Sequence, residues 1–534
     1  MRISSWSSFC LLLCFLAAGI TGGAASAAPS YSAAPPTGPP NPGQAYAELD
    51  DFLQGQIKAL GLPGAAVAVV KDGVQVHTAA FGRADDSGRP MTAQTPVLLA
   101  STSKTLTAIA VMQQVEAGRL RLDEPVQTYL PWFTLADSRS SAITVRHLLH
   151  QASGMASKDT AFEASDAQGP EALEEGVRAL AGSPLAGEPG AAFRYANANF
   201  NVLGLLVQTV SGQPFGAYLA QHIFGPLKMA NSHPTRADAR AGNAAAGYSR
   251  WFSAWWRQTD VPAPTTGMPS ATMYSSAEDL SHELMALLDG GRYGDARILR
   301  SGSVAAMFEP RVQVSDSQRY AMGWFARPLV ESTDPAAPPA PEETLPVLLE
   351  HQGEWGNSHT YLAMVPSSRL GLALVINAND TSAPSRLKSI DTNLLRILQG
   401  QAPVPAVVFE DWLQRYSWAV ALGLLLAELL SLWLALRFLL SRRRAPAGKR
   451  RTLLVWAAAL ALDGFALWLC LIYAPARFDT HLFVVVRQFP DVGVSLVPIL
   501  ALAILWPVPR TAWLLLRLRG HAARRGFEAV PPIR

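Results

Sequence analysis

The feature that most constrains this chain is a change in composition near Tyr416. After it come three apolar segments, at 417–440, 452–473 and 492–516. As helices, segments of this length can cross the roughly 30 Å hydrocarbon core of a bilayer. The residues before the change have the mixed composition of a soluble protein. The sequence therefore predicts a soluble domain followed by a membrane region with about three transmembrane helices.

The N-terminus has the features of a secretory signal peptide. Arg2 supplies a basic start, 9–20 an apolar core and Ala25-Ser26-Ala27 a small-residue cleavage site. The alternative, a retained anchor, is disfavoured because the core is too short to span a bilayer. We divide the chain into a signal peptide (1–27), a Pro-rich linker (28–43), a soluble domain (44–400), a second linker (401–416), the membrane region (417–516) and a basic tail (517–534).

Charge and cysteine placement limit the classes of function. Six basic residues lie in 442–451 and six in 510–534, where the positive-inside rule places them in the cytoplasm. The soluble domain then lies outside the cytoplasmic membrane. The remainder is mildly acidic, which argues against a nucleic-acid partner. Cys10 and Cys14 lie in the signal peptide and Cys470 in an apolar segment, so thiol chemistry is excluded from the soluble domain.

Strand patterns lie at both ends of the soluble domain. Ala65–Val70 and Val74–Ala80 flank a turn, and Thr360–Met364 and Leu370–Ile376 form a later pair. The middle is expected to be helical, with turn-rich loops and few strands. This order predicts an α/β domain with an antiparallel sheet built from both ends and a helical lobe beside it.

Ser101-Thr102-Ser103-Lys104 is the strongest candidate for chemistry. On a helix, positions i and i+3 share one face, so the lysine can reach the serine hydroxyl and accept its proton. The spacing alone is weak evidence, because Ser385-Arg386-Leu387-Lys388 matches it as well. There the serine is better interpreted as a residue of a helix cap.

Two further motifs add to this interpretation. Tyr195-Ala196-Asn197 offers a hydroxyl that can carry a proton and an amide that can hold a lysine or a substrate. His351-Gln352-Gly353 opens the later strand pair and offers a donor beside a glycine that allows close approach of a substrate. Taken singly, each motif also has a purely structural interpretation. The first would be a buried tyrosine with an asparagine that caps a helix, and the second would be a surface histidine.

In this order the three motifs resemble the signature of the serine β-lactamase and penicillin-binding-protein superfamily, in its class C-like, His-x-Gly branch. The segment Ile143–Gly154 is similar to the family's stretch before its helical lobe. The resemblance covers roughly residues 45–400. It implies a β-lactamase/transpeptidase-like fold, with an antiparallel sheet flanked by helices plus a helical lobe.

The resemblance also implies catalytic roles. Ser101 would carry a covalent acyl group, and Lys104 and Tyr195 would share the base and acid roles. Asn197 would position the lysine and bind the substrate. No cofactor and no metal are implied, and no His/Cys/Asp spacing suggests a metal.

The third motif would bind substrate through His351 and Gly353. By the same resemblance, the oxyanion hole would be the backbone N–H groups of Ser101 and Glu354. His351 stands where efficient β-lactamases have a lysine, and a neutral imidazole holds a carboxylate less well than a permanent cation. We therefore do not expect potent β-lactam hydrolysis.

The sequence predicts a hydrolase in the cytoplasmic (inner) membrane, with its catalytic domain on the extracytoplasmic side. Its expected partners are the bilayer and a small-molecule or peptide substrate, which includes cell-wall peptide; the oligomeric state stays open. Candidate substrates are peptidoglycan-type D-amino-acid peptides, β-lactam-like amides and small esters. The alternative is a penicillin-binding receptor or sensor that is acylated without efficient turnover.

Two acids in the apolar segments, a tryptophan cluster and two histidines lie outside the three motifs. Glu428 and Asp463 lie in apolar segments, where acids are either functional or serve in packing. A tryptophan cluster could line the cleft, contact a membrane or simply pack; its members are Trp251, Trp255 and Trp256. His147 and His150 are expected to be structural.

Overall fold

The computed structural model describes residues 42–156, 167–169, 171–329, 345–440, 449–478, 480–512 and 515. The predicted signal peptide, almost all of the first linker, most of the proline-rich stretch 335–346 and the basic tail lie outside the described residues. The α-helices are α1 Pro42–Leu60, α2 Ser103–Glu116, α3 Val145–Leu149, α4 Ala172–Arg178, α5 Asn197–Ser211, α6 Phe215–Leu219, α7 Arg236–Ala241, α8 Ala277–Leu288, α9 Ser301–Phe308, α10 Ser385–Leu398, α11 Trp412–Arg415, α12 Ser417–Leu440, α13 Lys449–Trp468, α14 Ala474–Arg477, α15 Leu482–Gln488 and α16 Pro490–Leu505.

The strands are β1 Gly64–Lys71, β2 Val74–Gly82, β3 Val97–Leu98, β4 Tyr248–Trp251, β5 Trp255–Gln258, β6 Tyr274–Ser275, β7 Arg292–Tyr293, β8 Ala296–Arg297, β9 Val312–Ser315, β10 Gln318–Tyr320, β11 Phe325–Pro328, β12 Val347–Trp355, β13 Ser358–Val365, β14 Leu370–Ile376 and β15 Ala378–Asn379. Eight of them form an antiparallel sheet in the order β2-β1-β14-β13-β12-β11-β10-β9. The pairing of β1 with β14 joins the two ends of the domain, which confirms the predicted antiparallel sheet.

Helices cover the sheet on both faces. Along β1 the residues alternate between two cores, because successive side chains of a strand point to opposite faces. Val67 and Val69 pack in the cluster that holds residues of α1 and α10, while Ala66 and Ala68 face the cluster that holds α8 and the helical lobe. Since both faces are buried, β1 is apolar from Gly64 to Val70 rather than alternating in polarity.

The central helix of the domain is α2, which lies between the sheet and the helical lobe. Every residue from Ser103 to Met112 is buried, so the helix has no solvent face over that length. Its N-terminal end meets β13 and the start of α5. The fold therefore brings Ser101 and Lys104 to the junction of sheet and lobe.

Two expectations about strands were wrong. The middle of the domain was expected to hold few strands, but β9, β10 and β11 extend the sheet and β4 pairs with β5. These strands are short and polar, so their local pattern is weak. The motif His351–Gly353 does not open a strand pair: it lies inside the nine-residue strand β12, which has neighbours on both sides.

Helices follow the domain where apolar segments were predicted. Within the described residues, two stretches are long and apolar enough to cross a bilayer, Trp456–Arg477 and Pro490–Ala512. In α12, side chains are described only as far as Trp433, and the apolar stretch Ser417–Trp433 is shorter than a full span. The described residues thus give two candidate spans, where the sequence predicted about three.

Candidate active site

Ser101 lies in a strained turn between β3 and α2. The turn spans Ala100–Thr102, and the buried Ala100 adopts a positive φ of 51°, a region that non-glycine residues rarely occupy. The backbone N–H of Leu99, just before the turn, donates to the carbonyl of Met273 at 2.8 Å. Surrounding contacts hold the backbone in this strained conformation. The turn places the Ser101 hydroxyl at the start of a buried helix.

Lys104 is fully buried and aims its ammonium at the nucleophile. Its Nζ lies 3.1 Å from the Ser101 Oγ, 2.7 Å from the Asn197 Oδ1 and 2.8 Å from the Ser270 carbonyl oxygen. All three acceptors are uncharged. A lysine in this setting is positioned to exchange a proton with the serine hydroxyl.

Tyr195 approaches the same serine oxygen from the helical lobe. Its Oη donates to the Ser101 Oγ at 2.8 Å, and the Lys104 Nζ lies 4.8 Å from the centre of its ring. Tyr195 precedes α5, and Asn197 is the first residue of that helix. One turn of chain thus supplies both side chains, which explains why a Tyr-x-Asn spacing suits the site.

Strand β12 docks directly against the nucleophile turn. A Cβ built on Gly353 would lie 2.1 Å from the Leu99 carbonyl oxygen and 2.2 Å from the Thr360 Oγ1, so only glycine fits there. That Leu99 carbonyl accepts hydrogen bonds from Thr360 at 2.6 Å and from Thr102 at 2.8 Å. Strand and turn are therefore locked together. The predicted oxyanion donors, the N–H groups of Ser101 and Glu354, belong to these two adjoining segments.

His351 lies in the site, with both ring nitrogens facing groups of the protein. Its Nδ1 is 2.8 Å from the Gln352 carbonyl and therefore donates, which leaves Nε2 to accept from the Tyr320 hydroxyl at 3.4 Å. Burial, and secondly the charge of Lys104, lower the pKa of His351 to about 3. In this arrangement the one N–H of the neutral ring is occupied by the Gln352 carbonyl, and the substrate-binding role of His351 stays a prediction.

A buried polar network supports the middle residue of the motif. The Gln352 Nε2 donates to the Asp391 Oδ2 at 2.8 Å, and the His359 Nε2 lies 3.0 Å from the Asp391 Oδ1. Asp391 and His359 are each 1% exposed. The sequence analysis did not identify Asp391, His359 or Thr360 as residues of the site, because none of them belongs to one of the three motifs.

The site opens into a polar cleft of about 290 Å³. Its lining residues are Ser101, Tyr195, Gln318, Phe325, Glu350, His351, Gln352, Glu354 and Lys388. Lys388, the lysine of the second Ser-x-x-Lys match, sits at this cleft with its Nζ 3.0 Å from the Glu354 Oε1. Ser385 begins α10, as the helix-cap interpretation expects. The second Ser-x-x-Lys match thus contains a residue of the site, Lys388, but its serine is not a second nucleophile.

The remaining candidates lie away from this lining. The indole of Trp256 donates to the Leu60 carbonyl at 2.9 Å and packs on the α1 side of the sheet, while Trp255 is 54% exposed. His147 takes part in the cap of α3, and His150 contacts the Arg146 carbonyl at 3.0 Å. Among the described residues, no group of three or more His, Cys, Asp or Glu could hold a metal.

The fold and this constellation define a serine hydrolase of the β-lactamase/transpeptidase class. The chain belongs to the beta-lactamase family, whose model matches residues 49–392.

Known relatives agree with this class. Over 355 residues the chain is 25% identical to "Protein flp" of Staphylococcus aureus (strain MW2), a match that covers 65% of this chain and 66% of that protein. Over 196 residues it is 35% identical to "Esterase EstB" of Burkholderia gladioli, covering 34% of this chain and 50% of the esterase.

Solved structures share the fold. The octameric penicillin-binding protein homologue from Pyrococcus abyssi has a TM-score of 0.55 at 24% identity, covering 67% of this chain and 78% of that one. A class C beta-lactamase has a TM-score of 0.54 at 20% identity, covering 66% of this chain and 96% of the other.

Proposed function

We propose that this protein is a membrane-anchored, extracytoplasmic serine hydrolase that forms an acyl-enzyme on Ser101. The observation that carries the proposal is the convergence of two proton-carrying groups on one oxygen, with the Lys104 Nζ at 3.1 Å and the Tyr195 Oη at 2.8 Å from the Ser101 Oγ. Two such groups can take the serine proton and return it to a leaving group.

In this mechanism one member of the Lys104/Tyr195 pair is deprotonated, as a neutral amine or a phenolate, and it takes the proton of Ser101 while the Oγ attacks the carbonyl carbon of the substrate. The bond to the leaving alcohol or amine then breaks, and the leaving group takes up that proton. Water releases the acyl group by the same route in reverse. The N–H groups of Ser101 and Glu354 stabilise the negative oxygen at each step.

The charges around the cleft favour small esters over substrates bound through a carboxylate. Lys388 is engaged with Glu354, and His351 is neutral. Glu350 adds an acid to the lining and is paired with Arg327 at 2.6 Å. The relative named as an esterase supports the same choice. Peptidoglycan-type D-amino-acid peptides and β-lactam-like amides remain within the proposed chemistry as slower substrates.

The test uses detergent-purified full-length protein with a p-nitrophenyl ester and a fluorescent penicillin. The wild type, Ser101→Ala and the control Ser385→Ala are compared for ester turnover and for an adduct in the intact mass. We expect turnover in the wild type and in Ser385→Ala and none in Ser101→Ala. Activity that survives Ser101→Ala would overturn the assignment of the nucleophile.

Anchoring is supported by aromatic residues at the junction between the domain and the apolar helices. Phe409, Trp412, Tyr416 and Trp418 are between 47% and 78% exposed there, as side chains at a membrane surface often are. Retention of the chain in alkaline-washed membranes tests the anchoring. Protease cleavage of the domain in intact spheroplasts, but not in inverted vesicles, tests the extracytoplasmic side.

A second candidate function is a penicillin-binding receptor or sensor that deacylates slowly. The observation that favours it is the contact between the turn that joins β12 to β13 and the C-terminal helices. A Cβ built on Gly356 in this turn would lie 2.5 Å from the Gln488 carbonyl oxygen. Nearby, the Phe252 N–H donates to the Asp491 Oδ2 at 3.1 Å. A Ser101 penicillin adduct that persists for hours without ester turnover would favour the receptor over the hydrolase.

A further inference from the structure

Three C-terminal helical segments meet at a buried cluster of ionisable side chains. Arg510, at the end of the stretch that begins with α16, bonds with its Nη2 to Glu428 of α12 and, at 2.6 Å, with its Nη1 to Asp463 of α13. The exposed fractions of the three residues are 8%, 2% and 2%, in the same order. One guanidinium thus holds two carboxyl groups from two different helices.

The charges in this cluster do not balance. With both acids ionised, two negative charges face one positive charge, and the excess is buried among apolar helices. An uncompensated buried charge is costly, and a carboxyl group in such a place is neutralised instead. Glu428 and Asp463 both bond to the one guanidinium of Arg510, which brings the two carboxyl groups together, an arrangement that favours one shared proton.

The second observation is a set of polar atoms without partners at the same spot. Among the described residues, the Glu428 Oε1, the Asp463 Oδ1 and the Arg510 Nε are buried and make no hydrogen bond. A protonated carboxyl gains a donor, which an ionised pair lacks. A proton therefore supplies the hydrogen bond that this cluster is missing.

The other charged groups on the described helices lie at least nine residues from the cluster along the chain, the nearest being Arg437 of α12, nine residues after Glu428 or about 14 Å along a helix. Asp491, on the Arg510 segment, is 19 residues from Arg510, or about 28 Å along a helix. The exposed Arg450 is 13 residues before Asp463, or about 20 Å. Cys470 carries no charge at neutral pH in its thiol form. Among the described side chains, the charged groups that bond to this cluster are its own three members.

We propose that Glu428, Asp463 and Arg510 form a proton-binding site inside the membrane region, which holds one proton per chain at neutral pH. The proton is shared by the two carboxyl groups, and Arg510 balances the remaining charge. The site is separate from the hydrolase, and its test does not depend on catalysis by Ser101.

The experiment uses dicyclohexylcarbodiimide, an apolar reagent that modifies protonated carboxyl groups in apolar surroundings. Full-length protein in nanodiscs is treated at pH 7, and labelled peptides are quantified by mass spectrometry. We expect at most one label per chain, divided between Glu428 and Asp463. Asp411, which pairs with Arg477 at 2.5 Å outside the cluster, is the internal reference and should stay unlabelled.

The matched variants test the charge count. In Glu428→Gln, one carboxylate balances Arg510, so we expect labelling of Asp463 to fall at least tenfold. Asp463→Asn should protect Glu428 to the same degree. Arg510→Gln removes the compensating charge, and both carboxyl groups should then be labelled. The elution volume and the thermal melting curve report whether each variant is folded.

Two outcomes would overturn the proposal. One is an unlabelled wild type, or undiminished labelling of the remaining acid in both single variants, with folding intact. The other is labelling that Na⁺ suppresses and an equal concentration of choline does not, which would assign the site to a sodium ion instead of a proton.

Discussion

The Nζ of Lys104 lies 3.1 Å from the Oγ of Ser101, one helical turn away in sequence and fully buried. The helix geometry fixes this distance, so the pair is preorganised before substrate binds. The ammonium also donates to Asn197 and to the Ser270 carbonyl, which hold its direction.

We therefore predict that Lys104→Ala lowers kcat/KM for a p-nitrophenyl ester by roughly 10³-fold or more, because the serine loses its proton acceptor. Lys104→Arg should be equally inactive, since a guanidinium does not release its proton at neutral pH. Steady-state kinetics with thermal melting as the folding control check both variants. A Lys104→Arg enzyme with wild-type activity would show that this residue is no base.

Tyr195 shares the serine oxygen with Lys104, and its hydroxyl can be removed without loss of the ring. We predict that Tyr195→Phe lowers kcat by roughly 10²- to 10³-fold and changes KM little, because the lost group acts in proton transfer. The ring contact with Lys104 remains in the variant. A rise in KM at unchanged kcat would instead assign the hydroxyl to substrate binding.

The sequence predicts the parts of this fold that depend on local pattern. Leu370–Ile376 was predicted with its observed bounds because a run of seven apolar residues identifies a buried strand. Ser101, Lys104, Tyr195 and Asn197 were found because each pair has a short, fixed spacing. All four side chains meet in the structure.

Contacts between distant parts of the chain could not be predicted in this way. The hydrogen bond from Thr360 to Leu99 joins residues 261 positions apart, and Asp391 of helix α10 supports Gln352 of strand β12. Strand β12 carries polar residues at alternate positions, such as Glu350 and Gln352, and so lacks an apolar run. The Nε2 of His351 faces the hydroxyl of Tyr320, whose position is likewise set only by the folded chain.

Gly353 is predicted to be essential for the approach of β12 to the nucleophile. In Gly353→Ala the added Cβ would meet the Leu99 carbonyl at 2.1 Å, so strand and turn must separate. We expect ester turnover to fall by roughly 10²-fold or more, since a displacement near 1 Å at a site has that effect.

The control for Gly353 is Gly302→Ala in α9, where a Cβ would meet nothing within 4 Å. That change should leave activity intact and stabilise the fold by about 0.5–1 kcal/mol. Turnover and urea denaturation measure both variants. Full activity in Gly353→Ala would contradict the docking of β12 on the turn.

Glu283 of α8 gives the domain a predicted pH dependence of stability. Its carboxyl is fully buried, and neither oxygen lies within hydrogen-bonding geometry of a partner among the described residues. Burial raises its pKa from 4.5 to about 8. In the unfolded chain this carboxyl loses its proton near pH 4.5, so between pH 4.5 and 8 the folded state binds more protons than the unfolded state. The free energy of unfolding must therefore fall as pH rises through that range, by at most about 1.4 kcal/mol per pH unit from this group.

We predict that Glu283→Gln removes this part of the slope, because an amide does not ionise. The measurement is urea denaturation of the wild type and the variant from pH 5 to 8, with the difference between the two slopes as the readout. Glu278→Gln, on the same helix and partly exposed, should keep the wild-type slope because Glu283 is retained. Parallel slopes for the wild type and Glu283→Gln would mean that the Glu283 carboxyl has the same pKa in the folded and unfolded chains.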